Sequence, residues 1–216
     1  MKARGHLIVF EGIDGSGKST QARLLAAALG ERGGVVHLSQ EPTQGKWGRQ
    51  VRDSGVTGRL SAQEELDLFH RDRAEHVETL IVPALARGET VVLDRYYFST
   101  MAYQGARGFD PAVLRELNEA FAPAPDLLFI FDLEIDAALA RVGGRGATTE
   151  FEQREGLARC REIFLTLKDE DFAHVVAANR PPEELHAEVM GIVARRCPEL
   201  LAERSRGGHS GGRLAG

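Results

Sequence analysis

Near the start of the chain, Gly12-Ile13-Asp14-Gly15-Ser16-Gly17-Lys18-Ser19 limits the possible folds more than any other stretch. It fits the pattern G-x-x-x-x-G-K-[ST] and lies between two regular elements. Before it runs an apolar strand pattern, Leu7, Ile8, Val9 and Phe10; after it a helical pattern over residues 19–32 turns Leu24, Leu25, Ala28 and Leu29 inward. Small residues let successive backbone N–H groups face one anion, and the helix N-terminus adds the positive end of its dipole. In such a loop Lys18 reaches the β- and γ-phosphates of a nucleoside triphosphate, and Ser19 offers a hydroxyl to Mg²⁺. A merely flexible turn needs neither the lysine nor the flanking elements. Gly12, Asp14, Gly15, Ser16, Gly17, Lys18, Ser19 and Thr20 are therefore read as a cradle for a nucleoside triphosphate.

The rest of the chain alternates in the same way. Gly33 and Gly34 close the first helix, and residues 35–40 form a second strand candidate leading into a loop around Glu41, Pro42 and Gly45. Ser61 with Glu64 three residues on is a capping-box pattern, which opens a long helix running to Gly88 with a kink at Pro83. Residues 90–93 form a buried strand that delivers Asp94 and Arg95 at its carboxyl end. Residues 126–133 form another continuous apolar strand, as expected where helices cover both faces of a parallel sheet, and residues 173–178 a weaker fifth. Helices are expected near 136–142, over 151–169 and over 182–197. The alternation points to a doubly wound α/β sheet of right-handed sense.

With 216 residues the chain holds one such domain, read as residues 1–203, followed by a mobile Gly-, Ser- and Arg-rich tail over 204–216. Lys plus Arg number 27 against 32 Asp plus Glu, a formal charge of −5 that argues against nucleic-acid binding by the whole surface. No apolar run approaches the ~20 residues of a membrane span, and the N-terminus has no secretory pattern, so a cytoplasmic protein with no membrane partner is expected. Cys160 and Cys197 show neither zinc-ligand nor disulfide spacing and are read as packing residues.

The guanine-reading N-K-x-D and the transporter signature L-S-G-G-Q are both absent. Val91 to Asp94 resembles a Walker B strand, but Arg95 follows where many ATPases place a water-activating glutamate. A cation there suits an acceptor that is itself anionic, whose attacking oxygen needs no strong base. The segment after Asp94 contains all three tyrosines of the chain; on a helix, Arg95, Ser99 and Tyr103 would share one face near the phosphate loop. In the long upstream helix Phe69 and Arg73 form an i, i+4 pair. They read either as an aromatic plane and a guanidinium for one ligand or, respectively, as core packing with Leu66 and Val77 and a solvated charge.

FEGIDGSGKSTQ, Glu41-Pro42, LFHRDRAEHVETLIVPAL, DRYYFSTMAYQGARG and the later Pro125-Asp126 together resemble the thymidylate (dTMP) kinase family, over about residues 6–175. The resemblance implies γ-phosphoryl transfer from MgATP to dTMP on a P-loop, nucleoside-monophosphate-kinase-like fold, with a five-stranded parallel sheet, a small lid and a homodimeric assembly. It implies that Arg95 grips the acceptor phosphate, with Lys18, Asp94 and a lid arginine as its catalytic companions and Ser19 and Asp94 at the metal. Asp14 would lie near the sugar 3′-hydroxyl, Tyr103 would crowd the 2′ position, Phe69 would stack on thymine and Arg73 would donate to its O4. Thr100 and Gln104 would contact the base, and Glu41 and Ser99 line the same site. Residues 143–150 match the lid, and the catalytic cation would be Arg141 or Arg145, with Arg145 preferred as nearer the lid tip and Arg141 at ATP. The sequence departs from the family pattern at Gln40, at Thr43-Gln44-Gly45 and in the lid. Two other readings stay open: a deoxynucleoside kinase with Glu41 as general base for a 5′-hydroxyl, and a nucleotide-binding module without catalysis.

Overall fold

The computed structural model describes residues 4–57, 60–142 and 150–202. In chain order the elements are β1 (Leu7–Glu11), α1 (Lys18–Glu31), β2 (Val36–Gln40), α2 (Lys46–Thr57), α3 (Ala62–His76), a π-helical turn (Val77–Ile81), α4 (Val82–Ala86), β3 (Thr90–Asp94) and α5 (Tyr97–Gly105). Then come α6 (Pro111–Glu119), β4 (Leu127–Asp132), α7 (Ile135–Val142), α8 (Glu150–Leu165), β5 (Ala173–Ala177) and α9 (Pro182–Arg196). The predicted lid, Glu150 apart, and the predicted tail lie outside the described residues.

The strands form one five-stranded sheet in the order β2-β3-β1-β4-β5, and every pairing is parallel. Every residue of β1 is buried, and β3 and β4 are buried up to their last residue, so hydrophobicity is continuous rather than alternating. Phe10 packs on Phe129 and Phe131 with ring centroids 5.1 and 5.8 Å apart. Cys160 and Cys197 are buried free thiols, as packing residues would be. In register Asp94 lies beside both Phe10 and Gln40, which brings the loops after β1, β2 and β3 to one edge of the sheet. From β1 the chain goes on to β2 on one side of the sheet, and from its neighbour β4 to β5 on the other, and the crevice at such a switch is where open α/β sheets bind ligands. Among the described residues no helix is long and apolar enough to cross a membrane.

The Ser61 capping box forms as the sequence predicts, with Glu64 accepting from the Ser61 N–H at 2.8 Å and the Ser61 hydroxyl accepting from the Glu64 N–H at 3.2 Å. The long helix is not one regular helix with a bend at Pro83. Proline has no N–H to continue the ladder, and the turn before it widens to a π turn in which the Val82 N–H bonds the Val77 carbonyl. Two helices occupy stretches where no helix is predicted. In α2, Gly48 masks the pattern of Trp47 and Val51. It is required there because a Cβ would lie 2.0 Å from the Thr43 carbonyl oxygen, where the preceding loop crosses the helix. α6 begins at Asp110, whose carboxylate accepts from the Ala112 N–H at 2.8 Å, with Pro111 in the first turn. α8 ends at Leu165, short of the predicted 169.

Candidate active site

The phosphate loop takes the shape its glycines permit. Gly12, Gly15 and Gly17 have φ of 139, 82 and 93°, and a Cβ on Gly12 would lie 2.5 Å from the Phe131 carbonyl oxygen. Lys18 is buried, its Nζ 3.4 Å from the Ile13 carbonyl and 3.6 Å from the Asp14 carboxylate. Burial and the nearby Arg95 guanidinium bring its pKa down to about 8, against the pull of Asp14, Asp94 and Glu11. The Ser16 hydroxyl is buried without a protein partner. Arg141 reaches the loop from α7, donating to the Gly15 carbonyl at 3.1 Å. Thr20 lies in the first turn of α1.

Asp94, at the end of β3, shares a cavity of about 370 Å³ with Ser19, Gln40 and Gln44, and its Oδ1 is buried with no partner. A carboxylate oxygen and a serine hydroxyl are hard oxygen donors, which fits Mg²⁺ held together with phosphate oxygens.

A second cavity, of about 520 Å³, runs from Asp14 in the loop to α3, α5 and α8. Asp14, Glu41, Phe69, Arg73, Arg95, Ser99, Thr100, Tyr103 and Gln104 all line it, so the structure gathers every residue expected at the acceptor. Glu65, Arg107, Leu157 and Cys160 also line it. Glu65 comes from α3, Arg107 from just beyond the end of α5, and Leu157 and Cys160 from α8.

Arg95 sits at the end of this cavity nearest the phosphate loop. It is the one non-glycine residue at positive φ (72°) among those described, and its own N–H bonds the Phe10 carbonyl at 2.9 Å. Its Nη1 donates to Ser99 Oγ at 2.9 Å, and Nη2 donates to Asp14 Oδ1 at 2.5 Å and to the Tyr103 hydroxyl at 3.2 Å. The helical face predicted for Arg95, Ser99 and Tyr103 is thus realised, with Arg95 just ahead of α5. Burial alone would lower the Arg95 pKa, but Tyr103, Asp14 and Glu11 hold it above its ordinary value. Burial resists ionisation of Asp14 as well, yet Arg95 and Lys18 keep its carboxyl below the usual range. Burial pushes Tyr103 up to about 12, so it stays a neutral phenol.

Of the two readings of Phe69 and Arg73, the solvated arginine is overturned. Arg73 is 1% exposed and makes a buried node: Nε donates to Glu41 Oε2 at 2.8 Å, Nη1 to Asn118 Oδ1 at 2.5 Å and Nη2 to Thr100 Oγ1 at 3.0 Å. The other Glu41 oxygen lies 3.0 Å from His76 Nδ1, and His76 Nε2 lies 2.9 Å from Ser39 Oγ. Leu66 and Val77 enter the core, whereas Phe69 is half-buried on the cavity wall. Asp72 fixes the Glu41 loop from α3, accepting from the Thr43 N–H and hydroxyl at 2.7 and 2.6 Å. Gln104 donates to Glu65 at 3.2 Å and keeps Oε1 buried and unpartnered. Arg145 lies outside the described residues.

Two residues that sequence reading passes over complete the site. Asn118, from the unpredicted α6, pins Arg73; Glu11, the last residue of β1, accepts hydrogen bonds from Tyr96 and Ser99. Neither has a local signal, since each acts on a partner far away in sequence.

A model of the thymidylate kinase family matches residues 10–189. A thymidylate kinase of Akkermansia muciniphila is 50% identical over 198 residues, covering 92% of this chain and 96% of that protein. One of Xanthomonas euvesicatoria pv. vesicatoria is 51% identical over 203 residues, covering 94% and 89%. The crystal structure of thymidylate kinase from Ehrlichia chaffeensis superimposes with a TM-score of 0.72 at 31% identity, covering 88% of this chain and 99% of that one. A phosphate loop facing an arginine-floored, aromatic-walled cavity thus occurs in a chain that belongs to the thymidylate kinase family.

Proposed function

We propose that this enzyme transfers the γ-phosphoryl group of MgATP to dTMP, giving dTDP and ADP. The observation that carries this is one cavity holding Arg95 and Asp14 at the phosphate-loop end and Phe69, Arg73, Thr100 and Gln104 farther along. The donor phosphates lie on the loop amides from Gly12 to Ser19 with Lys18 and Arg141, and the acceptor phosphate lies on Arg95. Phe69 offers a face to the thymine ring, while Arg73, Thr100 and Gln104 offer donors and acceptors to its edge. Asp14 and Tyr103 meet the sugar, Asp14 at the 3′-hydroxyl and Tyr103 where a 2′-hydroxyl would project.

An acceptor phosphate brings an ionised nucleophile, so the chain must hold two polyanions together rather than remove a proton. Lys18, Arg95 and Arg141 are placed for that. Ser19 and Asp94 are the residues that would hold Mg²⁺, which neutralises phosphate charge when bound. The deoxynucleoside kinase reading is not favoured, because both oxygens of Glu41, its candidate base, are engaged by Arg73 and His76. Cations on both the donor and the acceptor side speak against a binding module without catalysis.

We read the enzyme as a single catalytic domain over residues 1–203, cytoplasmic and homodimeric. The half-exposed Val113 and Leu117 of α6, beside a cavity they share with Leu66 and Phe109, support a second copy as partner. A coupled ADP-release assay with MgATP tests the activity against dTMP, dUMP, dCMP, dGMP, thymidine and no acceptor. Selective turnover of dTMP is expected, and thymidine turned over faster than dTMP would overturn the reading.

A further inference from the structure

Glu11 is fully buried at the point where β1 gives way to the phosphate loop. A carboxylate there must be matched by donors, since a buried unpaired charge is costly. Three donors converge on it, all from the stretch that follows Asp94. Oε1 accepts from the Tyr96 N–H at 2.7 Å and from the Ser99 N–H at 3.0 Å; Oε2 accepts from the Ser99 hydroxyl at 2.6 Å. The Ser99 N–H is shared with the Tyr96 carbonyl, also at 3.0 Å. No side chain at the N-cap position, Tyr96, caps α5, so the carboxylate that steadies its first turn comes from the end of the neighbouring strand, β1.

Ser99 passes this constraint on. Its hydroxyl hydrogen goes to Glu11, which leaves its oxygen lone pairs to accept from Arg95 Nη1 at 2.9 Å. The bonds run in one direction, from guanidinium to serine to carboxylate. Arg95 meanwhile holds a backbone conformation that L side chains rarely adopt, which persists only where surroundings impose it.

We propose that Glu11 is a positioning residue: its buried carboxylate clamps the first turn of α5 and, through Ser99, aims the Arg95 guanidinium at the acceptor phosphate. This rests on the reading of Arg95 as the acceptor-phosphate cation. The acid is needed rather than its amide because an ionised carboxylate only accepts. A glutamine would keep one acceptor oxygen for the backbone N–H groups but turn an NH₂ toward Ser99. Serine would then accept from that amide in competition with Arg95. Burial pushes the Glu11 carboxyl up to about 7, and Arg95, the bonds from Ser99 and Tyr96, and Lys18 are what favour its ionised form against that rise.

The test compares Glu11→Gln, Ser99→Ala and the double variant of the full chain in steady-state kinetics, with thermal melts alongside. Glu11→Gln is expected to raise KM for dTMP about tenfold, the scale of one hydrogen bond to a charged group, and to leave KM for ATP within about twofold. Ser99→Ala is expected to move KM for dTMP the same way, and the double variant to do little more than Glu11→Gln, because both break one chain of bonds. A folded Glu11→Gln enzyme whose two KM values rise together, or whose KM for dTMP is unchanged, would overturn the proposal. So would effects that multiply in the double variant, since Ser99 would then serve the substrate independently. If Glu11→Gln does not fold, Ser99→Ala still decides, for it keeps the buried acid and both backbone bonds: an unchanged KM for dTMP overturns the relay. Arg95→Ala is the control for the premise. If it leaves KM for dTMP unaltered, the acceptor-side assignment of Arg95 falls, and the proposal with it.

Discussion

The donor side of this enzyme is built from neighbours in sequence, and the acceptor side from strangers. Gly12 to Ser19 are one uninterrupted stretch, whose glycine-set backbone conformation suits an anion. The acceptor cavity instead draws on the loop after β1, the loop after β2, α3, α5 and α8, with α6 pinning Arg73 from behind. A local site needs only the right glycines and one turn of helix. A distributed site needs its side chains locked from outside, and the structure supplies those locks as buried polar nodes: Arg73 with Glu41, Asn118 and Thr100, and Glu11 with Tyr96 and Ser99. The distributed side should therefore be the more fragile to single substitutions remote from the phosphates.

The sharpest way to separate the two sides is Arg95→Ala. Turnover of dTMP should fall by about 10³, the scale of removing one preorganised donor from a developing charge, while ATP binding changes little. A parallel loss of ATP affinity, measured by equilibrium titration of the variant, would mean that the two sides are not separable at Arg95.

Next in size is Arg73→Leu, which tests fragility rather than catalysis. It leaves the buried Glu41 carboxylate with His76 but without its guanidinium, and takes the donor from Asn118 Oδ1; a broken buried ion pair typically costs about 3–5 kcal/mol. Denaturant melts should show that loss, whereas a comparable truncation on the rim of the cradle, Thr20→Ala, should stay within about 0.5 kcal/mol. Similar losses for both would erase the contrast.

Glu11 joins the two sides, and its cost has a sign that can be measured. The folded enzyme raises its pKa from 4.5 to about 7, so between those values the native state holds more proton than the unfolded chain. Stability from this group is therefore intact below about pH 4.5 and is lost as pH rises through 7, by up to roughly 3 kcal/mol. Glu11→Gln removes that dependence. Its stability relative to the parent enzyme should climb from pH 5 to pH 8, even as its KM for dTMP worsens. A difference that stays flat across this range would mean that the buried acid is fully compensated by Arg95 and its hydrogen bonds.

The same division explains what could be read from sequence. The strand, glycine loop and helix around Lys18 announce themselves, and three inner strands buried on both faces read as apolar runs, so the sheet was legible without coordinates. Phe69, Arg73 and the Arg95, Ser99, Tyr103 face were legible as spacings, but their common cavity entered only by resemblance. α2 was hidden because Gly48, a poor helix residue, is there to admit the Thr43 carbonyl, a contact from another segment. α6 did carry a signal in Asp110-Pro111, but its contribution, Asn118 beneath Arg73, spans 45 residues. Glu11 and Tyr96 are 85 residues apart, and nothing in either neighbourhood marks the pairing.

Arg141 offers the smallest and most discriminating check. It is exposed on α7 and makes a single bond to the loop, donating to the Gly15 carbonyl at 3.1 Å, so solvent screens its charge and no buried partner is stranded when it goes. Arg141→Ala should raise KM for ATP by only about two- to threefold, in line with one exposed charge, and leave KM for dTMP and the melting temperature where they were. The loop amides and Lys18 would still hold the donor. If Arg141→Ala instead lowered kcat by orders of magnitude, the donor side would depend on a remote side chain as the acceptor side does, and the contrast between a locally built and a distributed half-site would fail where it now looks safest.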